Sequence, residues 1–326
     1  MNRNVQLILA ALMCLFIGRG SVLAAETAQT YPARPIRMIV PQTPGGTADT
    51  VARTVAPGLS AALGQQIVID NRGGAGGIIG TELSAKAIPD GYTISLNGAG
   101  PLTISPLLQK QAPYDPVKDF VPISLITISP FALVVHAAVP AKSVKELIAL
   151  AKAEPGKLNY ASGGTGSVSY LGMELFKSMA GVNILHVPYK GTAPGMIDVL
   201  AGNITMILFA VPPAVQHVAA GRLRMLGVSG ANRSPQYPDI PTIREAGMAG
   251  YDVTTWTGLL LPLKTPPAIV AKQRDALAKT IGAPETRRQL ESQGLDIITN
   301  TSEAFTNFIR AELAKHAKII KAAGAT

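Results

Sequence analysis

IRMIVPQTPGGTADTVARTVAPGLSAAL, residues 36–63, carries the architecture of this chain in miniature. Ile36–Val40 is a short aliphatic run of strand length, and Pro41–Thr47 reads as a loop. Val51, Val55, Leu59 and Leu63 then recur at four-residue spacing, which lines one face of a helix. Gly64 supplies its C-terminal stop, and Pro57 inside it predicts a kink or a split. The same order returns later, with a strand at Leu158–Ala161, the loop Ser162-Gly163-Gly164-Thr165-Gly166-Ser167 and a helix over Val168–Met179. Two strand–glycine loop–helix units in one chain point to an α/β protein with two lobes facing each other across a cleft.

Outward from these units the alternation continues. Ile67–Asp70 and Tyr92–Leu96 read as strands, with Gly73-Gly74-Ala75-Gly76-Gly77 and a helix to Ile88 between them. A proline-rich passage from Pro101 to Pro122 precedes two extended runs, Ile123–Ile128 and Phe131–Val135. Ser143–Ala153 is helical, Ile184–Val187, Ile204–Phe209 and Leu223–Val228 are strands, and Pro267–Ile281, Pro284–Gln293 and Ser302–Ala323 are helices. No period of 20–50 residues repeats, which excludes a solenoid.

The chain has 326 residues, 47% apolar and 15% charged, enough for real cores in about two domains of ~150 residues each. Residues 1–25 form a separate unit: Arg3, an apolar core of 11 residues from Leu7 to Ile17, and the small-residue end Val22-Leu23-Ala24-Ala25. That is the layout of a secretory signal peptide, cleaved after Ala24 or Ala25; an uncleaved anchor would need ~20 apolar residues. Cleavage removes Cys14, the only cysteine, so the exported chain has no disulfide, thiolate nucleophile or cysteine metal site. Arg3 and Arg19 leave with it, and net charge falls from +9 to +7. The remaining Lys and Arg are spread along the chain without interleaved aromatics, a pattern that favours small anions over nucleic acid.

Two loops can bind an anion. In Gly45-Gly46-Thr47-Ala48-Asp49 the glycines allow close backbone approach, and the following helix presents unpaired N–H groups with a partial positive charge. Ser162, Gly163, Thr165, Gly166 and Ser167 do the same on the other side, with hydroxyls as added donors. Charge-assisted bonds of roughly 1.5–3 kcal/mol each make a few from either side sufficient for micromolar binding. A purely structural reading stands beside this one: Thr47 as a helix cap, and Asp49 paired with Arg53 at i, i+4. Asp49 is also a candidate partner for a ligand amine. G-x-S-x-G, Walker A and H-E-x-x-H motifs are missing from the sequence. Ile79 breaks a dinucleotide fingerprint at residues 74–79, and His136, His186, His217 and His316 lack metal-ligand spacing.

An ordered set of short motifs resembles the Bug family, the substrate-binding proteins of tripartite tricarboxylate transporters. It comprises Tyr31-Pro32, Val40-Pro41 with Pro44-Gly45-Gly46-Thr47-Ala48-Asp49, Asn71-Arg72 with Gly74-Ala75-Gly76-Gly77, and Pro89-Asp90-Gly91-Tyr92-Thr93. Tyr114-Asp115-Pro116, Tyr160 to Ser167, His186-Val187-Pro188-Tyr189-Lys190-Gly191 and Pro238-Asp239-Ile240-Pro241-Thr242 follow in order. The resemblance implies a Venus-flytrap fold of the type II periplasmic-binding class, with lobe 1 at 26–128 plus 253–326 and lobe 2 at 129–252. It implies a small carboxylate gripped by the two loops, with Tyr189 and Lys190 near the rim. No cofactor or metal, a monomer, a periplasmic location and the membrane subunits of a tripartite transporter as partners go with it. Gln42, Thr205 and His316 depart from the family pattern, in which an aromatic, an Asp and a Trp are common. Two other function classes fit the same residues: a sensory component presenting its ligand to a membrane receptor, and a periplasmic enzyme using Ser167 or Asp49.

Overall fold

The computed structural model describes residues 31–325 except 110 and 235–236, so the expected leader peptide lies outside the described residues. In chain order the elements are β1 (Ile36–Val40), α1 (Thr47–Leu63), β2 (Ile67–Asn71), α2 (Ile78–Ala85) and β3 (Thr93–Gly98). A wide π-helical turn at Gly100–Ile104 leads into α3 (Ser105–Leu108), β4 (Phe120–His136) and α4 (Val144–Ala153). Next come β5 (Asn159–Ser162), α5 (Val168–Ala180), β6 (Leu185–Pro188), α6 (Thr192–Leu200), β7 (Met206–Ala210), α7 (Val211–Ala219) and β8 (Leu223–Val228). The chain closes with β9 (Thr254–Pro262), α8 (Pro267–Gly282), α9 (Pro284–Ser292), β10 (Asp296–Ile297) and α10 (Ser302–Ala323).

The strands form two sheets that share one strand. In the first, β1 is parallel to β2 and β3, β3 is antiparallel to β9, and β9 is antiparallel to the first part of β4. In the second, the last part of β4 is flanked by β7 and β8, both antiparallel, while β5 runs parallel to β7 and β6. The handover is sharp: Pro130 is the last residue of β4 opposite β9, and Phe131 is the first opposite β7. Proline has no N–H for the ladder, so it suits the point where one set of partners ends.

Ser229 fastens this crossing. It is fully buried; its hydroxyl accepts from Phe131 N–H at 2.8 Å and donates to the Val253 carbonyl at 2.6 Å. Its own N–H and carbonyl bond Phe131 and Val253, each at 2.8 Å. One side chain thus ties both segments that pass between the sheets.

Two expectations change. The runs at 123–128 and 131–135 are one 17-residue strand, because β9 and β7 supply partners on either side of the break. Helix α1 continues through Pro57, which sits on its exposed face, where water can take the carbonyl that proline leaves unpaired. β9, α6 and α7 are among the elements with no counterpart in the sequence reading. β9 is buried on both faces and reads as an unalternating apolar run. α6 and α7 contain Pro194, Pro212 and Pro213, which look like breakers but stand in first turns, where the missing N–H costs nothing.

The first core packs Val51, Val55 and Leu59 of α1 against Met38, Val40 and Ile94. A second, larger core is organised by α10, which crosses from Thr103 to α5, where Ser178 Oγ donates to the Ala322 carbonyl at 2.9 Å. Trp256 lies beneath it, edge-on to Phe305 and Phe308, with its indole N–H donating to Glu312 at 3.1 Å. Gly258 is required there: a Cβ would sit 2.3 Å from Phe305 Cζ and 2.9 Å from the Ser124 carbonyl. Gly258→Ala should therefore lower unfolding stability by about 1–3 kcal/mol, the usual range for overpacking. Phe305→Leu in the same chain should recover part of it; urea titration gives both, and an unchanged midpoint for Gly258→Ala would contradict the packing.

His316 is 2% exposed, and its Nδ1 lies 2.9 Å from Thr103 Oγ1. Burial, with Lys315 nearby, pushes the imidazole down to about 4 from 6.5. Above pH 6.5 it is neutral folded or unfolded. Between 6.5 and 4 only the unfolded chain takes up the proton, so the folded state loses at most about 3 kcal/mol as pH falls. Burial raises Glu312, which acts in the opposite direction by taking a proton first in the folded state. Wild type and His316→Gln should therefore converge in stability by roughly 2–3 kcal/mol between pH 7 and pH 4; parallel profiles would show that His316 is not held neutral.

Candidate functional site

Loops at the C-terminal ends of β1, β2, β5 and β6 enclose a cavity of about 270 Å³, floored by Phe131 and Thr255 at the crossing. Of the residues expected from sequence, Gly46, Thr47, Gly163, Thr165, Ser167, Tyr189 and Lys190 line it. Gly45 lines a neighbouring cavity, and Ala48, Asp49, Ser162 and Gly166 line neither of the two.

Asp49 is the clearest correction. It is 3% exposed, and its Oδ2 accepts from Gly45 N–H at 3.0 Å and Arg53 Nε at 2.9 Å. Burial alone would raise this carboxyl, but Arg53, Gly45 and nearby Asn71 outweigh it and hold it below its ordinary range. Asp49 therefore shapes the loop from behind, locking Gly45 in its left-handed turn at φ 82°. Ala48 is equally buried; its N–H donates to Gln42 Oε1 at 3.3 Å, so the cap of α1 comes from Gln42, four residues before the helix Ncap. Thr47 keeps its hydroxyl uncommitted among the described residues.

Ser162 is fully buried, so it too works from behind. Its hydroxyl lies 2.7 Å from His186 Nε2 and accepts from Gly164 N–H at 3.1 Å. His186 is stacked against Tyr160 and tilted against Tyr170, and burial lowers it, with Lys177 adding to that and Glu174 opposing it. This serine–histidine pair is out of reach of a bound molecule and sets the loop's shape. Ser167, on the cavity wall, caps α5 by accepting from Tyr170 N–H at 3.2 Å, and Ser169 Oγ is 3.0 Å away. Gly166 is shielded because Ser105 packs onto it: a Cβ there would lie 2.3 Å from Ser105 Oγ. Tyr189 presents its ring to the cavity; Asp198 accepts from its hydroxyl, and burial and that carboxylate push it up to about 12.

The sequence reading missed a third wall. Gly73 to Gly77, quoted as a failed dinucleotide fingerprint, line the cavity together with Gly100 and Pro101. Gly77 faces Pro101 so closely that a Cβ would lie 2.3 Å from its ring. Ser105 Oγ joins this wall to the opposite one, donating to Gly76 O at 2.8 Å and Gly166 O at 3.2 Å. A second contact crosses the mouth, where Thr43 Oγ1 donates to Lys190 O at 3.0 Å. Four glycines within five residues were a usable signal; which face they would line depends on the strand order.

The second cavity, about 250 Å³, lies beyond Thr47 and Thr192, which line both, and it reaches Ser129, Pro130, Phe209 and Leu295. Of the sequence departures, only Gln42 lines a cavity. Thr205 bonds Asn159 away from both, and His316 lies on the buried face of α10 against Thr103.

The electrostatics come from the backbone. Residues at the starts of α1, α5 and α6 stand on the main cavity wall, and each N-terminus carries a partial positive charge of roughly half a unit. The N–H groups of Thr47, Val168, Ser169 and Thr192 have no protein acceptor among the described residues. Among the described residues no carboxylate side chain lines the cavity, and Lys190, exposed at the mouth, is the one cation on its wall. Among the described residues no group of three or more His, Cys, Asp or Glu could hold a metal. This arrangement turns N–H and hydroxyl donors, under the partial positive charge of three helix starts, toward the cavity.

Known proteins agree with this geometry. The family model for the tripartite tricarboxylate transporter family receptor matches residues 51–325. The structure of the periplasmic binding protein BugD is 34% identical, with a TM-score of 0.86 over 90% of this chain and 99% of that one. Rpa4515 of R. palustris, solved with adipate, is 36% identical with a TM-score of 0.86 over 90% and 98%. MatC from Rhodopseudomonas palustris, with bound malate, is 31% identical with a TM-score of 0.84 over 89% and 100%. Matched by the family model and over nearly the whole length of these structures, the chain belongs to the tripartite tricarboxylate transporter receptor family, the Bug proteins, and has their two-lobed periplasmic-binding-protein fold.

Proposed function

We propose that this chain is a periplasmic solute-binding protein that captures a small carboxylate between lobe 1 (26–128 and 253–326) and lobe 2 (129–252). It is exported, loses its leader after Ala24 or Ala25, acts as a monomer, and delivers its ligand to the membrane subunits of a tripartite transporter. The observation that carries this reading is the convergence of three helix N-termini and uncommitted threonine hydroxyls on a cavity with no carboxylate side chain. The adipate and malate bound by Rpa4515 and MatC support it. So does the membership of the family.

Gly46, Thr47, Gly163, Thr165 and Ser167 hold the carboxylate in this reading, with Tyr189 and Lys190 at the mouth. Gly45, Ala48, Asp49, Ser162 and Gly166 hold the loops that do so. Ligand bridging both walls favours the closed arrangement, and the Ser105 and Thr43 contacts close with it. A binding role without turnover is supported by the commitments of the polar groups: Ser167 caps a helix, Asp49 is locked behind the loop, and Ser162 is sealed from the cavity.

Thr47→Val with Thr165→Val removes two hydroxyls that have no protein partner while leaving the Ser167 cap intact. Calorimetric titration of protein stripped of carried-over ligand by unfolding and refolding should show one-to-one binding of a carboxylate, weakened tenfold or more in the double variant at unchanged thermal stability. The ligand should be recovered chemically unchanged. Full affinity in the double variant, or turnover of the ligand, would refute the reading.

A further inference from the structure

Gln42 is the only side-chain amide on the main cavity wall. Its Oε1 accepts from Ala48 N–H at 3.3 Å, and a backbone N–H can be met only by the oxygen of an amide. The helix therefore decides which way this amide faces. The NH₂ group is left with two donors and no protein acceptor among the described residues.

The residue is also held in place on both sides. Asn71 Nδ2 donates to its carbonyl at 3.2 Å, and Gly73 packs so closely that a Cβ there would lie 3.2 Å from the Gln42 carbonyl carbon. Several other polar groups on the wall are already committed: Thr43 to Lys190, Ser167 to Tyr170, Tyr189 to Asp198, while Thr192 and Thr255 carry hydroxyls that, like those of Thr47 and Thr165, serve as donor or acceptor alike. These four hydroxyls therefore discriminate little between ligand groups. An amide NH₂ can only donate. A partly buried donor without an acceptor is penalised, so a ligand that leaves it unmet binds less well than one that satisfies it.

We propose that Gln42 is a specificity-determining residue, whose pinned amide selects carboxylates bearing a second oxygen acceptor: a hydroxyl, an oxo group or another carboxylate. This rests on the carboxylate-binding reading above and deepens it. Ligands of this class bind in preference to plain alkanoates of the same length.

Two substitutions separate this role from capping. Gln42→Glu still offers an oxygen to Ala48 N–H but replaces the donor with a second acceptor; Gln42→Met removes both. The probes are adipate against hexanoate, malate and succinate against butyrate, and citrate and 2-oxoglutarate, titrated into stripped protein. Wild type should bind its best acceptor-bearing ligand at least tenfold more tightly than the matched monocarboxylate. Gln42→Glu should weaken that ligand at least tenfold more than the monocarboxylate, since repulsion of the shared carboxylate affects both. Its thermal stability should match wild type, and Gln42→Met should erase the preference.

If wild type binds the monocarboxylate equally well, or Gln42→Glu weakens both ligands alike, the role of Gln42 is overturned and the carboxylate reading stands. If wild type binds no probe while remaining folded, both are overturned.

Discussion

Everything about this protein's cleft depends on one strand belonging to two sheets. β4 changes partners between Pro130 and Phe131, and Ser229 holds the two crossing segments together there. The two sheets share backbone at that point, and α10 joins them again where it packs on α5, so their registry at the base is fixed twice. Phe131 and Thr255, at the base, floor the cavity. Thr43 and Lys190 meet at the opposite end, through one exposed hydrogen bond that is inexpensive to break.

Among the described residues no arginine lines the cavity. A guanidinium would supply a strong, bidentate and permanent charge. Here the positive potential comes from helix N-termini, and the donors are N–H groups and hydroxyls whose positions are set by the loops. These donors stand on both walls of the cavity, each contributing a modest share.

Much of the chemistry near the cavity serves shape. Asp49 and Arg53 form an ion pair that is largely sealed on the carboxylate side, and its purpose is to hold Gly45 in a left-handed turn. Ser162 and His186 stand in hydrogen-bond contact, yet the serine has no exposed surface. Each resembles a functional group in sequence and works one layer behind the wall. The structural alternative weighed for Asp49 from sequence, pairing with Arg53 at i, i+4, is the arrangement found.

The sequence by itself determined the two strand–loop–helix units, the α/β class and the two glycine-bearing loops that face the cavity, because these are local. Aliphatic period, glycine and helix start lie within one short stretch and need no distant partner to be read. It also carried the family, through short motifs kept in order along the chain. Tertiary structure decided the rest. β9 is legible only as a strand between β3 and β4, since its apolar run has no period of its own. Gly73 to Gly77 became a wall of the cavity because β2 lies beside β1, and Asp49 and Ser162 were withdrawn from it because burial depends on what packs over them. Which of several polar neighbours faces a ligand is a property of side-chain direction and of hydrogen bonds already taken, and both are settled only when residues far apart in sequence come together.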